Sequence, residues 1–320
     1  MRAVTFSRFG GPEVLEVAEL PVPQPGRGEV RIRVAAATVN PTDISFRSGR
    51  QSAQLAGLQP PYVPGMELAG VVDAAGADTD WRPGERVMAI VNPRRPGGGA
   101  QAEFVVVPAA SVARVPEGSS LEQAATLPMN GLTVRLALDL LNLKPGQTLG
   151  VTGAAGAVGG YAVELGVAGG LRVIAVAGSK DEDLVKRLGA EVLVPRGDGA
   201  VQGIRDAAPG GVDGLIDAAV IGAPILPAVR DGGALAAVRA FEGQSERGIA
   251  IQQVRVATYL QNQAALARLG DQVAAGKLTL RVAETFPPER AGEAQQKLDA
   301  GGVRGRLVIV FYTKGWSRNK

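Results

Sequence analysis

TLGVTGAAGAVGG, residues 148–160, is a short strand, a tight turn and the beginning of a helix. Leu149 and Val151 are its strand positions, and Gly153, Gly156 and Gly159 follow at a spacing of three. Val158, Ala162 and Leu165 then fall on one face of the helix beyond. The chemistry served by such a turn is a phosphate. Glycines let the backbone approach a ligand closely, while the unpaired N–H groups and positive dipole end of the new helix hold the anion. Gly153, Ala154, Ala155, Gly156, Ala157, Val158 and Gly159 are therefore predicted to bind a cofactor phosphate. The chain contains 44 glycines, so a turn that only packs a helix tightly on a strand satisfies the same spacing.

A second apolar strand, RVIAVA at 172–177, follows about twenty residues on, the length of a dinucleotide-binding βαβ unit. An NAD site wants a carboxylate at the end of that strand for the ribose 2′-hydroxyl. Here the strand runs into Gly178, Ser179 and Lys180, which suit a 2′-phosphate and predict NADP(H). Ser179 and Glu182 also have the spacing of a capping box, with Asp181, Glu182 and Asp183 in the first turn as the helix dipole prefers. The two readings are compatible.

Composition narrows the chemistry further. The 320 residues contain neither Cys nor His, which excludes a disulfide, a thiolate nucleophile, a His base and any Cys/His zinc site. A carboxylate-only site for a hard cation stays open, but no metal ligand is predicted, and a hydride-transfer cofactor that brings its own reactive atom fits what is left. Net charge is only +3 and the basic residues are scattered, against a nucleic-acid or membrane-surface partner. With no apolar leader region and no run near the roughly eighteen apolar residues of a membrane span, a cytoplasmic protein is expected.

At 46% hydrophobic, the chain is long enough for two domains with cores. Residues 1 to about 120 read as β-rich, with Val30, Ile32 and Val34 alternating with Arg31 and Arg33 between Gly/Pro-rich turns. Asn40-Pro41 signals a turn, and Thr42 or Asp43 is placed to cap a short helix. Leu121 to Leu141 is helical, broken at 126–133. After the glycine turn, helices alternate with strands up to Ile249–Val256, giving six strands of a doubly wound parallel sheet. A helix carrying Leu266, Leu269 and Val273, then strand, helix and the strand LVIVF, complete the chain.

FGGPEVLEV, VNPTD, RSG, PGMELAGVV, RPGERV, AEFVVVP, ATLPMNGLT, LKPGQTLGVTGAAGAVGG, RLGAEVLV and RGRLVIV occur in this order along almost the whole chain. Together they resemble the medium-chain dehydrogenase/reductases, specifically the zinc-free quinone oxidoreductase, or zeta-crystallin-like, branch. The resemblance implies a GroES-like catalytic domain from 1–124 and 258–320, with a Rossmann domain inserted at 125–257. It implies NADPH, its nicotinamide facing an interdomain cleft near Asn40, Asp43, the turn from Asn130 to Thr133, and the strand ends at Ala218 and Val238. Zinc-containing branches carry a His where Met66 stands.

Two departures from the family pattern bear on ligands. Pro195-Arg196 replaces a Tyr that often packs against adenosine, and the Arg196 guanidinium offers a bidentate fork to a 2′-phosphate. Residues 50–60 are longer than in relatives and lack a substrate-covering Tyr. The implied activity is NADPH-dependent reduction of a quinone or enone, with Asn40 and Asn130 as polar orienting groups and Asp43 as an organising acid or proton relay. An NADPH-binding sensor or structural protein without turnover is the alternative. Relatives often pair edge strands of their Rossmann sheets, so a homodimer through Ile249–Val256 is expected.

Overall fold

The alternation that begins at Glu29 produces the longest strand among the described residues, and the β-rich part of the molecule is assembled along it. The computed structural model describes residues 1–311. In chain order the first elements are β1 (Arg2–Thr5), β2 (Glu16–Glu19), β3 (Glu29–Thr38), α1 (Pro41–Arg47), β4 (Glu67–Ala75) and β5 (Arg86–Ile90). They continue with β6 (Phe104–Pro108), β7 (Val112–Arg114), α2 (Leu121–Ala124) and α3 (Pro128–Leu141). Then come β8 (Thr148–Thr152), α4 (Ala157–Ala168), β9 (Arg172–Ala177), α5 (Glu182–Arg187), β10 (Val192–Pro195), α6 (Ala200–Ala207) and β11 (Val212–Asp217). The last are β12 (Val229–Ala237), β13 (Ala250–Gln253), α7 (Gln263–Ala274), β14 (Val282–Phe286), α8 (Ala291–Ala300) and β15 (Arg306–Val310).

Tertiary contacts divide the chain into two units. One comprises Met1–Met129, Leu260–Ala274 and the described part of Leu280–Lys320; the other comprises Asn130–Tyr259 and Ala275–Thr279. Residues 312–320, included in the 258–320 expectation, lie outside the described residues.

The first unit is the GroES-like β-rich fold. Its sheet runs β14-β15-β3-β4-β5-β7, and β6 pairs with the first half of β3. β3 is long enough to serve two partners on one edge: Glu29–Arg33 pair with β6, and Ala36–Thr38 pair with β15. Val30, Ile32, Leu68, Val72, Val105 and Ile309 close its core.

The second unit is a Rossmann fold, a six-stranded, fully parallel sheet in the order β10-β9-β8-β11-β12-β13. Numbered from β8, that is 3-2-1-4-5-6, and the order reverses between β8 and β11. Strands covered on both faces read as continuous apolar runs, which is why RVIAVA shows no alternation. The crossovers after β11 and after β12 contain no α-helix. Residues Ala223–Ala228 form a 3-10 segment in the first of them, with Pro227 inside it lacking the N–H an α-helix interior needs.

Candidate cofactor site and buried polar corner

The three glycines of the turn do three different things. Gly153 sits at φ +62°, and a Cβ there would lie 3.2 Å from the backbone nitrogen of Ala219. At Gly159 a Cβ would lie 2.2 Å from the Gly153 carbonyl oxygen, so only hydrogen fits where α4 leaves the turn. Gly156 is the N-cap of α4, and a Cβ there would meet only the Gly153 oxygen, at 3.1 Å. The space in front of Gly156 is open, as a phosphate cradle requires. Beyond it the N–H groups of the first helical turn, including those of Ala157 and Val158, have no carbonyl one turn earlier to bond. Ala154 and Ala155 point into the core and can serve a ligand only through their backbone.

β9 and β10 end side by side. Arg196 N–H donates to the Ala177 carbonyl at 2.8 Å, and a Cβ on Gly178 would lie 3.1 Å from Asp181 Oδ2 and 3.7 Å from Arg196 Nε. The Arg196 guanidinium therefore stands over Gly178, next to exposed Ser179 and Lys180. The Ser179–Glu182 capping box is not formed. Ser179–Asp181 is a 3-10 turn and Asp181 is the N-cap of α5, which leaves Ser179 outside the helix.

The end of β11 is held by a residue the sequence reading passed over. Asp217 is buried, accepts the Thr152 hydroxyl at 2.7 Å, and also accepts the N–H groups of Ile221 at 3.1 Å and Gly222 at 2.8 Å. Thr152 Oγ1 in turn accepts Ala219 N–H at 2.9 Å. These bonds carry Ala218 and Ala219 against Gly153 and hold Val220 at φ +58°, a costly conformation for a β-branched residue. Val238 directly follows β12, half-buried. A carboxylate closing an apolar strand, as in VDGLID, was the available signal, since buried Asp is seldom unpaired.

Asn40 and Asp43 form a buried corner in the first unit. The N-cap of α1 is Asn40, not Thr42 or Asp43: the Asp43 carboxylate reaches back to accept Asn40 N–H at 2.8 Å, and Gly65 N–H at 2.9 Å. Burial pushes the Asp43 carboxyl up to about 6, although both N–H groups favour its ionised form. The Asn40 side chain belongs to a second cluster, with Thr38, Glu67 and Arg306, of which the sequence reading named only Asn40. Arg306 Nη2 donates to Asn40 Oδ1 at 2.8 Å and forms a buried ion pair with Glu67. Glu67 Oε2 accepts Met129 N–H at 2.7 Å. Glu67 lies within the apolar stretch GMELAG, the same kind of signal as Asp217.

Asn130 and Thr133 are not in a turn. The helix break falls at 125–127, and both residues are buried in α3, where Pro128 starts a helix well because it needs no partner for a missing N–H. Asn130 Nδ2 is buried without a hydrogen-bond partner among the described residues. A groove of about 740 Å³ elsewhere in the first unit contains none of the predicted residues. Of its lining charges, Arg114 pairs with Glu85 and Asp78 with Arg27.

Residues 26–117 match the alcohol dehydrogenase GroES-like domain, and residues 188–309 match the zinc-binding dehydrogenase domain. A crystal structure of an NAD-dependent alcohol dehydrogenase superposes with a TM-score of 0.87 at 31% identity, covering 98% of this chain and 100% of that one. The chain belongs to the medium-chain dehydrogenase/reductase family. Within the family it is similar to quinone oxidoreductases. It is 37% identical over 203 residues to a chloroplastic quinone-oxidoreductase QR1 of Triphysaria versicolor, covering 61% of this chain and 60% of that protein. It is 28% identical to the quinone oxidoreductase of Sus scrofa, over 97% of this chain and 98% of the other. The matched part thus spans about 60% of the plant relative and nearly all of the pig one. A mycobacterial structure complexed with NADPH superposes with a TM-score of 0.84 at 28% identity, covering 97% of this chain and 100% of that one. The sequence has no Cys or His, and the described residues contain no group of three or more Asp or Glu placed to hold a metal. No helix among them is long and apolar enough to cross a membrane.

Proposed function

We propose that this protein is a zinc-independent, NADPH-dependent oxidoreductase that reduces a quinone or an α,β-unsaturated carbonyl. The observation that carries the cofactor choice is the Arg196 guanidinium beside Gly178 at the end of β9, a cation set close to the buried Asp181 carboxylate. The open face at Gly156 and the first turn of α4 fit a pyrophosphate. Ser179, Lys180 and Arg196 would hold the 2′-phosphate, while Thr133, Ala218 and Val238 would line the nicotinamide end. The bound cofactor supplies hydride.

The chain's own residues do the rest. As hydride arrives, negative charge gathers on the acceptor oxygen, and a neutral amide donor stabilises it without a metal. Asn40 and Asn130 are our candidates for that donor. Asp43, with its carboxyl near 6, organises the corner at Asn40 and is suited to pass a proton at neutral pH. We further propose a cytoplasmic homodimer acting on a small molecule.

Fluorescence titration tests the cofactor reading. Wild type binds NADPH at least about tenfold more tightly than NADH, a difference of about 1.4 kcal/mol. Arg196→Ala and Lys180→Ala each remove most of that preference and leave NADH binding within about twofold. Tighter binding of NADH by wild type overturns the NADPH reading. NADPH binding without oxidation by any quinone or enone in a panel favours a sensor instead of an enzyme.

A further inference from the structure

We infer that Glu67, Arg306 and Thr38 are positioning residues that lock the Asn40 amide in one orientation, so that Asn40 offers a reacting oxygen its N–H and never its carbonyl. What Asn40 touches rests on the proposed reductase reading; how it is held rests on the geometry alone.

An asparagine amide has nearly the same shape with oxygen and nitrogen exchanged, so its partners must decide the orientation. Arg306 can only donate, and its Nη2 is 2.8 Å from Oδ1. An ionised Glu67 can only accept, and its Oε1 is 3.5 Å from Nδ2, while Thr38 Oγ1, hydrogen-bonded to that same Oε1, is 3.2 Å from the nitrogen. One N–H shared by this adjacent pair leaves the other for a reacting oxygen. Exchange of the two atoms would set NH₂ against the guanidinium and the carbonyl against the carboxylate. Both contacts would become repulsive in a site where Thr38, Asn40, Glu67 and Arg306 are all at most 6% exposed.

The partners cannot turn to follow a reversed amide. Glu67 Oε1 takes the Thr38 hydroxyl and Arg306 Nη2, and Oε2 takes Met129 N–H at the start of α3. Arg306 Nη2 also donates to Thr38 Oγ1 at 2.6 Å. Arg306 Nε is buried with no hydrogen-bond partner among the described residues, so the guanidinium leaves one donor unsatisfied while keeping Nη2 in the cluster. A pair kept only for stability gains little over well-packed apolar residues of the same volume. Fixing one amide orientation is a use that apolar residues cannot serve. The orientation fixed is the one that suits charge developing on an acceptor oxygen.

The test uses the ¹⁵N-labelled full chain, with the Asn40 side-chain NH₂ resonances assigned by their loss in Asn40→Ala. We expect a resolved, slowly exchanging pair in wild type. In Glu67→Gln and in Thr38→Val the pair shifts and exchanges at least about tenfold faster. Thr38→Val retains the buried ion pair and serves if Glu67→Gln does not fold. Unchanged Asn40 resonances in the folded variants overturn the inference.

The kinetic arm separates positioning from general damage. Glu67→Gln or Thr38→Val lowers kcat about tenfold, leaves the NADPH dissociation constant within about twofold, and has no further effect in an Asn40→Ala background. Equal losses in both backgrounds show that the cluster does not act through Asn40. If wild type turns over no acceptor, the reductase reading fails, and the resonance measurements still decide the inference.

Discussion

Asp43 is fully buried, and its carboxyl is pushed from 3.8 up to about 6 by burial, against the two backbone N–H groups it accepts. A carboxyl more basic in the fold than in the unfolded chain holds an extra proton only when folded, between those two values. Its contribution to stability is therefore largest near pH 4, falls as pH rises to about 6, and is level above, a swing on the order of 3 kcal/mol. Asp43→Asn abolishes the titration, so the wild-type-minus-variant stability, from urea unfolding at pH 4.5 and pH 7, becomes less favourable to wild type at the higher pH. An unchanged difference contradicts the buried acid. At this scale the sequence showed the NPTD turn but misassigned its cap, because which residue closes the first turn of α1 depends on Asp43 reaching both Asn40 and Gly65. Gly65 is 22 positions away in the chain.

The glycine turn belongs to the scale of elements, and it predicts opposite outcomes at two of its positions. Gly159→Ala forces a Cβ into backbone at 2.2 Å and separates α4 from the turn, lowering stability by about 2 kcal/mol or more together with nucleotide affinity. Gly156→Ala meets only one oxygen at 3.1 Å, so the protein keeps its melting temperature within a few degrees and loses nucleotide affinity at least about tenfold. Comparable destabilisation in both variants would mean the turn serves packing alone. Melting curves beside NADPH titrations distinguish the cases. Strands and helices of the βα alternation were legible because both faces of a parallel sheet demand apolar runs. The capping box at Ser179 was not, since a 3-10 turn there competes for the same residues.

For the whole molecule, β13 is the outer strand of the Rossmann sheet and pairs on one side with β12. It is shorter than expected, Ala250–Gln253 in place of Ile249–Val256, because Ile249 turns into the core and Val254 bonds back to Ala237. An outer strand presents unpaired backbone groups to a second copy, the basis of the proposed homodimer. Light scattering at micromolar concentration should give twice the chain mass of 32.8 kDa, and Ile251→Pro, which removes an outward-facing N–H from that edge and leaves the ladder to β12 in place, should return it to the monomer. A wild-type monomer disproves the association.

The sequence by itself determined the two fold classes and the anion-binding turn. Those follow from periodicity and glycine spacing, which act over one or two turns of chain. It also determined the absence of thiol and imidazole chemistry, which is a matter of composition. Only the tertiary structure decided that Arg196 stands over Gly178, that Asp217 holds the loop at Gly153, and that Glu67 and Arg306 close on Asn40. Buried charges are stable only where their partners converge, and these partners lie up to 266 positions apart, where no local pattern reaches.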